Sequence, residues 1–190
     1  MLTLPTNKVP ATSTNPKFLI IYGRPKSGKT SSLAQLENNV IVDLEGGSTF
    51  IDAMAVQARS ISELGDIASA IRAKNDEVGQ KYYKHITIDN ATRLEEICLP
   101  YAKTLYKQTS VGKNYAGDDV RTLPNGSGYM YIRQAVRKVI DMFKELCEEF
   151  ILVGHVKDVQ IDKDGEEVSE MALDLVGKLS SIICGESDAV

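Results

Sequence analysis

Four short apolar runs without polar alternation are spaced along the chain. Each contains β-branched or aromatic residues, and a parallel strand that is buried on both faces has this composition. The four runs are residues 17–22, 40–43, 85–89 and 150–154. Segments with helical periodicity separate them, and this alternation predicts a three-layer α/β fold with a mostly parallel sheet.

Two of the predicted helices begin with the spacing of a capping box. Ser60 is followed by Glu63, and Thr92 is followed by Glu95, so each pair predicts a helix N-terminus. We expect these helices to run to about residues 74 and 106. Three more helices are predicted over residues 29–37, 129–149 and 173–184.

Three further segments do not fit helical or buried-strand patterns. Residues 107–128 lose periodicity and contain four glycines, and loops of this length are usually functional or disordered. Residues 159–168 alternate around Asp164-Gly165, which predicts a hairpin. Residues 188–190 have the pattern of a starting strand, from which we expect the natural protein to continue past Val190.

Length and composition indicate one ordinary globular domain. The 190 residues, 43% of them hydrophobic, can form a single core. We place the domain at residues 17–190 and predict that residues 1–16, rich in Pro, Thr and Asn, form a flexible arm. The net charge of -4 excludes a general polycation, so any nucleic-acid contact requires a local basic patch.

Cysteine spacing and hydropathy indicate the cellular compartment. The three cysteines are far apart and have no metal or redox spacing, which predicts reduced thiols and no structural zinc. No run approaches the roughly 20 apolar residues that cross a bilayer. We therefore expect a cytoplasmic protein without a membrane partner.

The strongest local motif is Gly-Arg-Pro-Lys-Ser-Gly-Lys-Thr at residues 23–30, between the first strand and the first helix. Its glycines let backbone N–H groups turn towards phosphate oxygens, and the helix adds its positive N-terminal end. The motif assigns Lys29 to the β- and γ-phosphates and the Thr30 hydroxyl to Mg²⁺. The predicted nucleotide-binding residues are Gly23, Arg24, Pro25, Lys26, Ser27, Gly28, Lys29, Thr30 and Ser31.

Acidic residues end two of the predicted strands. Asp89 ends the third strand and is suited to hold Mg²⁺ through a water, although it could instead cap the next helix, a role also open to Asn90 and Thr92. Asp43 and Glu45 end the second strand and, being two apart, should project to the same side. A glutamate at this edge can deprotonate an attacking water, the alternative being a solvated strand end.

In this order, the segments resemble those of RecA-like ATPases. The segment Val-Asp-Leu-Glu-Gly-Gly at residues 42–47 is similar to the one that carries their catalytic glutamate, and the resemblance gives that role to Glu45. A mobile loop, a long helix and an apolar strand ending in a polar sensor follow in those proteins. The resemblance therefore makes His155 the sensor of the γ-phosphate.

The chain is also similar to compact phage-encoded nucleotide-binding proteins of the AAA class, which are implicated in recombination and single-strand annealing. The shared segments are the phosphate loop, Asp-Leu-Glu-Gly, Ile-Asp-Asn, and a late Gly-Lys followed by Asp-Ala-Val. This resemblance implies ATP as the nucleotide, self-association into a ring or filament, and a host cytoplasm. It also implies a single-strand-binding or annealing protein as a partner, and Lys178 as a residue that reaches a neighbour's γ-phosphate, unless Lys178 is only a solvated lysine.

Single-stranded DNA is the partner that these families imply, and the charge pattern selects where it would bind. Residues 157–170 carry two lysines against six carboxylates, which suits a solvated hairpin better than a DNA contact. The loop at residues 107–128 offers cations with an aromatic residue, as single-strand binding requires, or else is a plain surface loop. Its candidate DNA residues are Lys107, Lys113, Tyr115 and Arg121.

Three functions remain open at this point. The first is an ATPase that acts on single-stranded DNA in recombination or annealing. The second is a nucleotide-dependent switch or assembly ATPase that does not bind DNA. The third is a small-molecule kinase. Such enzymes usually need lid arginines, and only Arg121 and Arg133 lie in the plausible stretch, with Arg137 one turn further along.

Overall fold

A computed structural model of the protein describes residues 16–163 and 166–190. Its centre is a six-stranded sheet in the order β3-β2-β4-β5-β1, with β6 paired to β5. All pairs are parallel except β5–β6, which is antiparallel. The strands are β1 (Phe18–Gly23), β2 (Asn39–Asp43), β3 (Ala55–Gln57), β4 (His85–Asp89), β5 (Glu149–Lys163) and β6 (Glu166–Leu173).

Helices cover both faces of the sheet unequally. Alternate residues of each strand face opposite sides, so Val40 and Val42 lie in the larger core while Ile41 lies in the smaller one. The smaller core is closed by α1, and the larger one by the other helices. The helices are α1 (Lys29–Leu33), α2 (Ile61–Val78), α3 (Ala91–Ile97), α4 (Leu99–Lys107), α5 (Gly128–Lys144) and α6 (Leu179–Glu186). The predicted α/β fold with a mostly parallel sheet is confirmed.

Several predicted boundaries are wrong. Helix α1 ends at Leu33 rather than at residue 37. At this end, the Asn39 side chain donates to the Leu33 carbonyl at 2.9 Å. Residues 173–178 are not helical because β6 continues to Leu173 and Gly177 has a φ of 54°. The short strand β3 was not predicted.

The capping box predicted at Thr92 and Glu95 is also wrong, whereas the helix start predicted at Ser60 is correct. Ser60 accepts from the Glu63 amide at 3.2 Å, as predicted for α2. Helix α3 is capped instead by Asn90, whose Oδ1 accepts from the amide of Arg93 at 3.0 Å. Thr92 and Glu95 turn to the segment after β6, with Thr92 donating to the Asp174 carbonyl and Glu95 accepting from the Val176 amide.

The ends of the chain agree in part with expectation. The Ile20 amide donates to the Ala189 carbonyl at 3.0 Å, so a parallel bridge forms beside β1 where a starting strand was predicted. Strands β5 and β6 pair antiparallel, from Val156 with Leu173 to Lys163 with Glu166, as the hairpin prediction requires, while the predicted turn at Asp164-Gly165 lies outside the described residues. The predicted flexible arm, apart from Pro16, lies outside the described residues. Among the described helices, none is long and apolar enough to cross a membrane.

The loop at residues 107–128 packs closely against α4 and α5. It contains two 3-10 turns, Val120–Thr122 and Pro124–Gly126, and buries Val120 and Leu123. Its close-packed end is Gly128, where an added Cβ would lie 1.7 Å from the Val120 carbonyl oxygen. Absence of a side chain at Gly128 therefore lets the loop close onto α5.

We predict that Gly128→Ala lowers the free energy of unfolding by about 1–3 kcal/mol, because the backbone contact with Val120 cannot be kept. Urea unfolding of the purified variant measures this change. Gly65→Ala in α2 is the matched control, since an added Cβ there meets no atom within 4 Å, and it should stabilise by about 0.5–1 kcal/mol. A neutral Gly128→Ala variant would contradict the packing of this loop.

Candidate functional site

The carboxyl ends of β1, β2 and β4 lie at one edge of the sheet, where the longer strand β5 passes them at His155. Gly23 pairs in register with His155, and Asp43 pairs with Asp89. Asp89 in turn lies opposite Val153 of β5, two residues before His155. Parallel pairing therefore places the phosphate loop, two carboxylates and the histidine next to one another, although Gly23 and His155 lie 132 positions apart in the sequence.

A cavity of about 440 Å³ opens at this edge. It is lined by residues 25–31 of the phosphate loop, by Asp43, Glu45 and Asp89, and by Gly47, Phe50, Ile51 and His155. This volume lies within the usual range for small-molecule sites. The structure therefore joins most of the predicted nucleotide residues with the predicted metal and catalytic residues in a single cavity.

The phosphate loop is shaped by positive backbone angles and by Lys29. Gly28 has a φ of 85°, a conformation that a residue without Cβ adopts readily. The Lys29 ammonium donates hydrogen bonds to the carbonyl oxygens of Gly23 and Arg24 at 3.0 and 2.9 Å. Gly23 and Arg24 do not line the cavity, and they contribute by holding this lysine across the loop.

Thr30 and Asp89 form the predicted pair of magnesium residues. The Thr30 hydroxyl donates to Asp89 Oδ2 at 2.5 Å. Burial raises the pKa of Asp89; the Thr30 hydrogen bond opposes this rise, and the charges of Glu45 and Asp43 add to it. A hydroxyl and a carboxylate side by side supply the oxygen ligands that Mg²⁺ prefers, so the residues present fit this ion.

Asp43 anchors the turn that follows β2. Asp43 is 2% exposed, and its carboxylate accepts hydrogen bonds from the amides of Glu45, Gly46 and Ser48 at 3.0, 2.7 and 2.9 Å. The Ser48 hydroxyl adds a fourth hydrogen bond. Burial by itself would raise the pKa of Asp43, but the four hydrogen bonds outweigh it and lower that pKa. Asp43 is therefore held as a buried carboxylate with little capacity left to accept a proton from water.

Glu45 lies on the open side of the same turn. Its side chain is 45% exposed, and its Oε2 lies 3.4 Å from Nε2 of His155. The same Nε2 lies 2.8 Å from the Asn90 side-chain nitrogen. Glu45 and His155 thus meet at the cavity as predicted, and Asn90, which the sequence identified only as a possible helix cap, joins them.

Phe50 is a further cavity residue that the sequence analysis missed. It ends the 3-10 turn Gly47–Phe50, and it is 90% exposed while lining the cavity beside Ile51. The available signal was a large apolar residue in a Gly-Ser-Thr segment directly after the acidic pair. An exposed aromatic ring at the rim of a polar cavity is suited to stack on a nucleobase.

The predicted DNA and interface residues do not line this cavity. Tyr115 packs edge-to-face on Tyr106 with ring centroids 5.2 Å apart, and its hydroxyl donates to the Asp119 carbonyl at 2.6 Å. Arg121 forms an ion pair with the Asp119 carboxylate. The other three, Lys107, Lys113 and Lys178, are exposed.

Comparison with known families agrees with this geometry. Residues 15–190 match the model of a family described as an AAA domain, which covers nearly the whole chain. The chain belongs to this family of AAA-type P-loop ATPases. Such ATPases generally use ATP and Mg²⁺, and the phosphate loop with the Thr30–Asp89 pair fits both. No curated protein matches the chain.

For this AAA domain we predict that Phe50→Ala weakens the binding of ADP about five- to a hundredfold, because stacking on one base contributes about 1–3 kcal/mol. Calorimetric titration should show unchanged binding of pyrophosphate, which shares the phosphates but has no base. Phe50→Tyr keeps the ring and serves as the control. An equal loss for both ligands would place Phe50 in the phosphate site instead.

Proposed function

We propose that this protein hydrolyses ATP to ADP and phosphate. The single observation that carries the proposal is the exposed carboxylate of Glu45 in the same cavity as Lys29 and the Thr30–Asp89 pair. A phosphate-binding loop alone serves binding, switching and transfer alike. A free carboxylate opposite that loop supplies the group that hydrolysis needs in addition, a general base for water.

In the proposed reaction, Glu45 takes a proton from a water whose oxygen attacks the γ-phosphorus. The bond between that phosphorus and the bridging oxygen breaks, and the electron pair stays with ADP. Lys29 and the amides at the start of α1 stabilise charge on the phosphate oxygens. Mg²⁺, held by Thr30 and through a water by Asp89, would neutralise the β- and γ-phosphates when bound.

We expect Glu45→Gln to keep ATP binding and to slow hydrolysis by about a hundredfold or more, because an amide cannot accept the proton. Lys29→Ala should weaken triphosphate binding and abolish hydrolysis. Phosphate release and nucleotide titration separate the two effects, and Glu148→Gln, on an exposed residue outside the cavity lining, is the control. Full turnover in Glu45→Gln would remove the base role from Glu45.

We further propose that the ATPase acts on single-stranded DNA in recombination or annealing, as a self-associated ring or filament. The resemblance to phage recombination proteins and the exposed Lys107 and Lys113 support this. Tyr115 and Arg121 contribute less than their sequence suggested, because the packing of the tyrosine and the Asp119 ion pair already occupy them. Lys178 would reach the γ-phosphate of a neighbouring subunit, and an annealing or single-strand-binding protein would be a further partner.

A second candidate is an ATP-dependent switch or assembly protein that does not bind DNA. The intramolecular contacts of Tyr115 and Arg121 favour this function, and so does the acidic composition of residues 157–170. A kinase has less support, since Arg121 pairs with Asp119 and Arg137 pairs with Glu186. Two of the three arginines considered for a lid are therefore engaged elsewhere.

We predict that single-stranded DNA stimulates phosphate release and that Lys107→Ala/Lys113→Ala reduces this stimulation. Each lost phosphate contact should also flatten the salt dependence of DNA binding, by a slope of about one unit for each lysine. The control is Arg72→Ala/Lys74→Ala, which removes the same charge from exposed positions on α2. If DNA changes neither turnover nor assembly in a sizing experiment at low salt, the switch function replaces the DNA function.

A further inference from the structure

The side chain of Asn90 connects the start of α3 to the histidine of the cavity. Asn90 is fully buried, with a relative exposure of 0%. Its Oδ1 accepts from the Arg93 amide at 3.0 Å, which caps the helix. Its Nδ2 lies 2.8 Å from Nε2 of His155. One amide group thus serves a helix end and an imidazole at the same time.

The helix cap fixes which end of the Asn90 amide faces His155. If the amide were turned by 180°, its NH₂ group would face the Arg93 N–H, placing two donors against each other. The helix would lose its cap, and a buried donor would lose its acceptor, which is a costly arrangement. The hydrogen-bond network therefore assigns the NH₂ group to His155.

An NH₂ group can only donate, so Nε2 of His155 must accept. In neutral His155 the proton then resides on Nδ1. Nδ1 is buried and has no hydrogen-bond partner within the described part of the chain. Nδ1 therefore has no partner in either tautomer, whether it carries the proton or a lone pair. The contact at Nε2 then decides which tautomer forms.

We propose that Asn90 is a positioning residue that holds His155 with a bare Nε2 and thereby keeps Glu45 available to its water. The 3.4 Å contact between Nε2 and Glu45 Oε2 then joins two acceptors and is not a hydrogen bond. Without Asn90, Nε2 could carry the proton and donate to the Glu45 carboxylate. Such a bond would hold the base against the histidine and lower its readiness to accept a proton from water.

The tautomer is independent of the proposed hydrolysis, whereas its catalytic consequence rests on that function. The chain contains two histidines, His85 and His155, which makes the tautomer directly measurable. Long-range ¹H–¹⁵N NMR at pH 8, above the ordinary histidine pKa, should show a protonated Nδ1 and a bare Nε2 for His155. His155→Gln assigns the signals by their loss, and a protonated Nε2 in the unmodified protein would overturn the proposal.

Two variants test the role of Asn90 while keeping a helix cap. Serine and aspartate both cap helices well. Asn90→Ser has too short a side chain to reach the imidazole, and Asn90→Asp presents an acceptor to it. We expect the proton of His155 to move to Nε2, fully in Asn90→Asp and in part in Asn90→Ser.

The kinetic test uses Asn90→Ser, in which Nε2 is free to donate to Glu45. We expect kcat to fall about tenfold, the effect of one hydrogen bond to a charged group, with the KM for ATP unchanged. In a His155→Gln background the same substitution should have no further effect on kcat. An unchanged kcat in Asn90→Ser, or an equal loss in the His155→Gln background, would overturn the positioning role. Absence of hydrolysis in the unmodified protein would refute the proposed function and leave the NMR result to decide the tautomer.

Discussion

Parallel pairing of β1, β5, β4 and β2 is the constraint on which the whole site depends. The pairing brings the carboxyl ends of β1, β2 and β4 to one edge, beside the middle of β5, and it aligns Gly23 with His155 and Asp43 with Asp89. Mutual attraction does not bring these residues together, because Asp43, Glu45 and Asp89 all carry carboxylates, which repel one another when charged. Both faces of these strands are packed, and a slip of one residue would exchange the two faces. The core therefore sets the register, and the register forces like charges together.

The cost of that convergence is offset locally and differently for each acid. Asp89 is buried and faces two other carboxylates, which raises its pKa despite the Thr30 hydrogen bond. A divalent cation beside Thr30 would favour the charged form of Asp89. The neighbouring carboxylates that disfavour ionised Asp89 are thus the same groups that would favour the binding of Mg²⁺. The fold therefore assembles this site at an electrostatic cost, because it holds several carboxylates close together.

Sequence reasoning identified the parts of the site that local chemistry determines. The phosphate loop follows from glycine spacing, Asp89 from the acid at a strand end, and the parallel strands β1, β2, β4 and β5 from unbroken apolar runs. It missed features that depend on distant partners. Asn90 meets His155 across 65 residues. The packing of Tyr115 on Tyr106 was also missed, because no local pattern in the loop indicates it. The strand β3 has only three residues, too few to show a period.

Asp43 and Glu45 show why spacing alone could not tell which of the two carboxylates stays exposed at the cavity. Because they are two residues apart, they were expected to project to the same side of the sheet. The structure separates them because the chain turns at Gly46, whose φ is 91°, and folds its amides back onto Asp43. Four hydrogen bonds hold Asp43 ionised and buried, while Glu45 remains 45% exposed at the cavity. Two carboxylates thus take different roles through their surroundings. The anchoring of Asp43 is what shapes the turn that presents both Glu45 and Phe50 to the cavity.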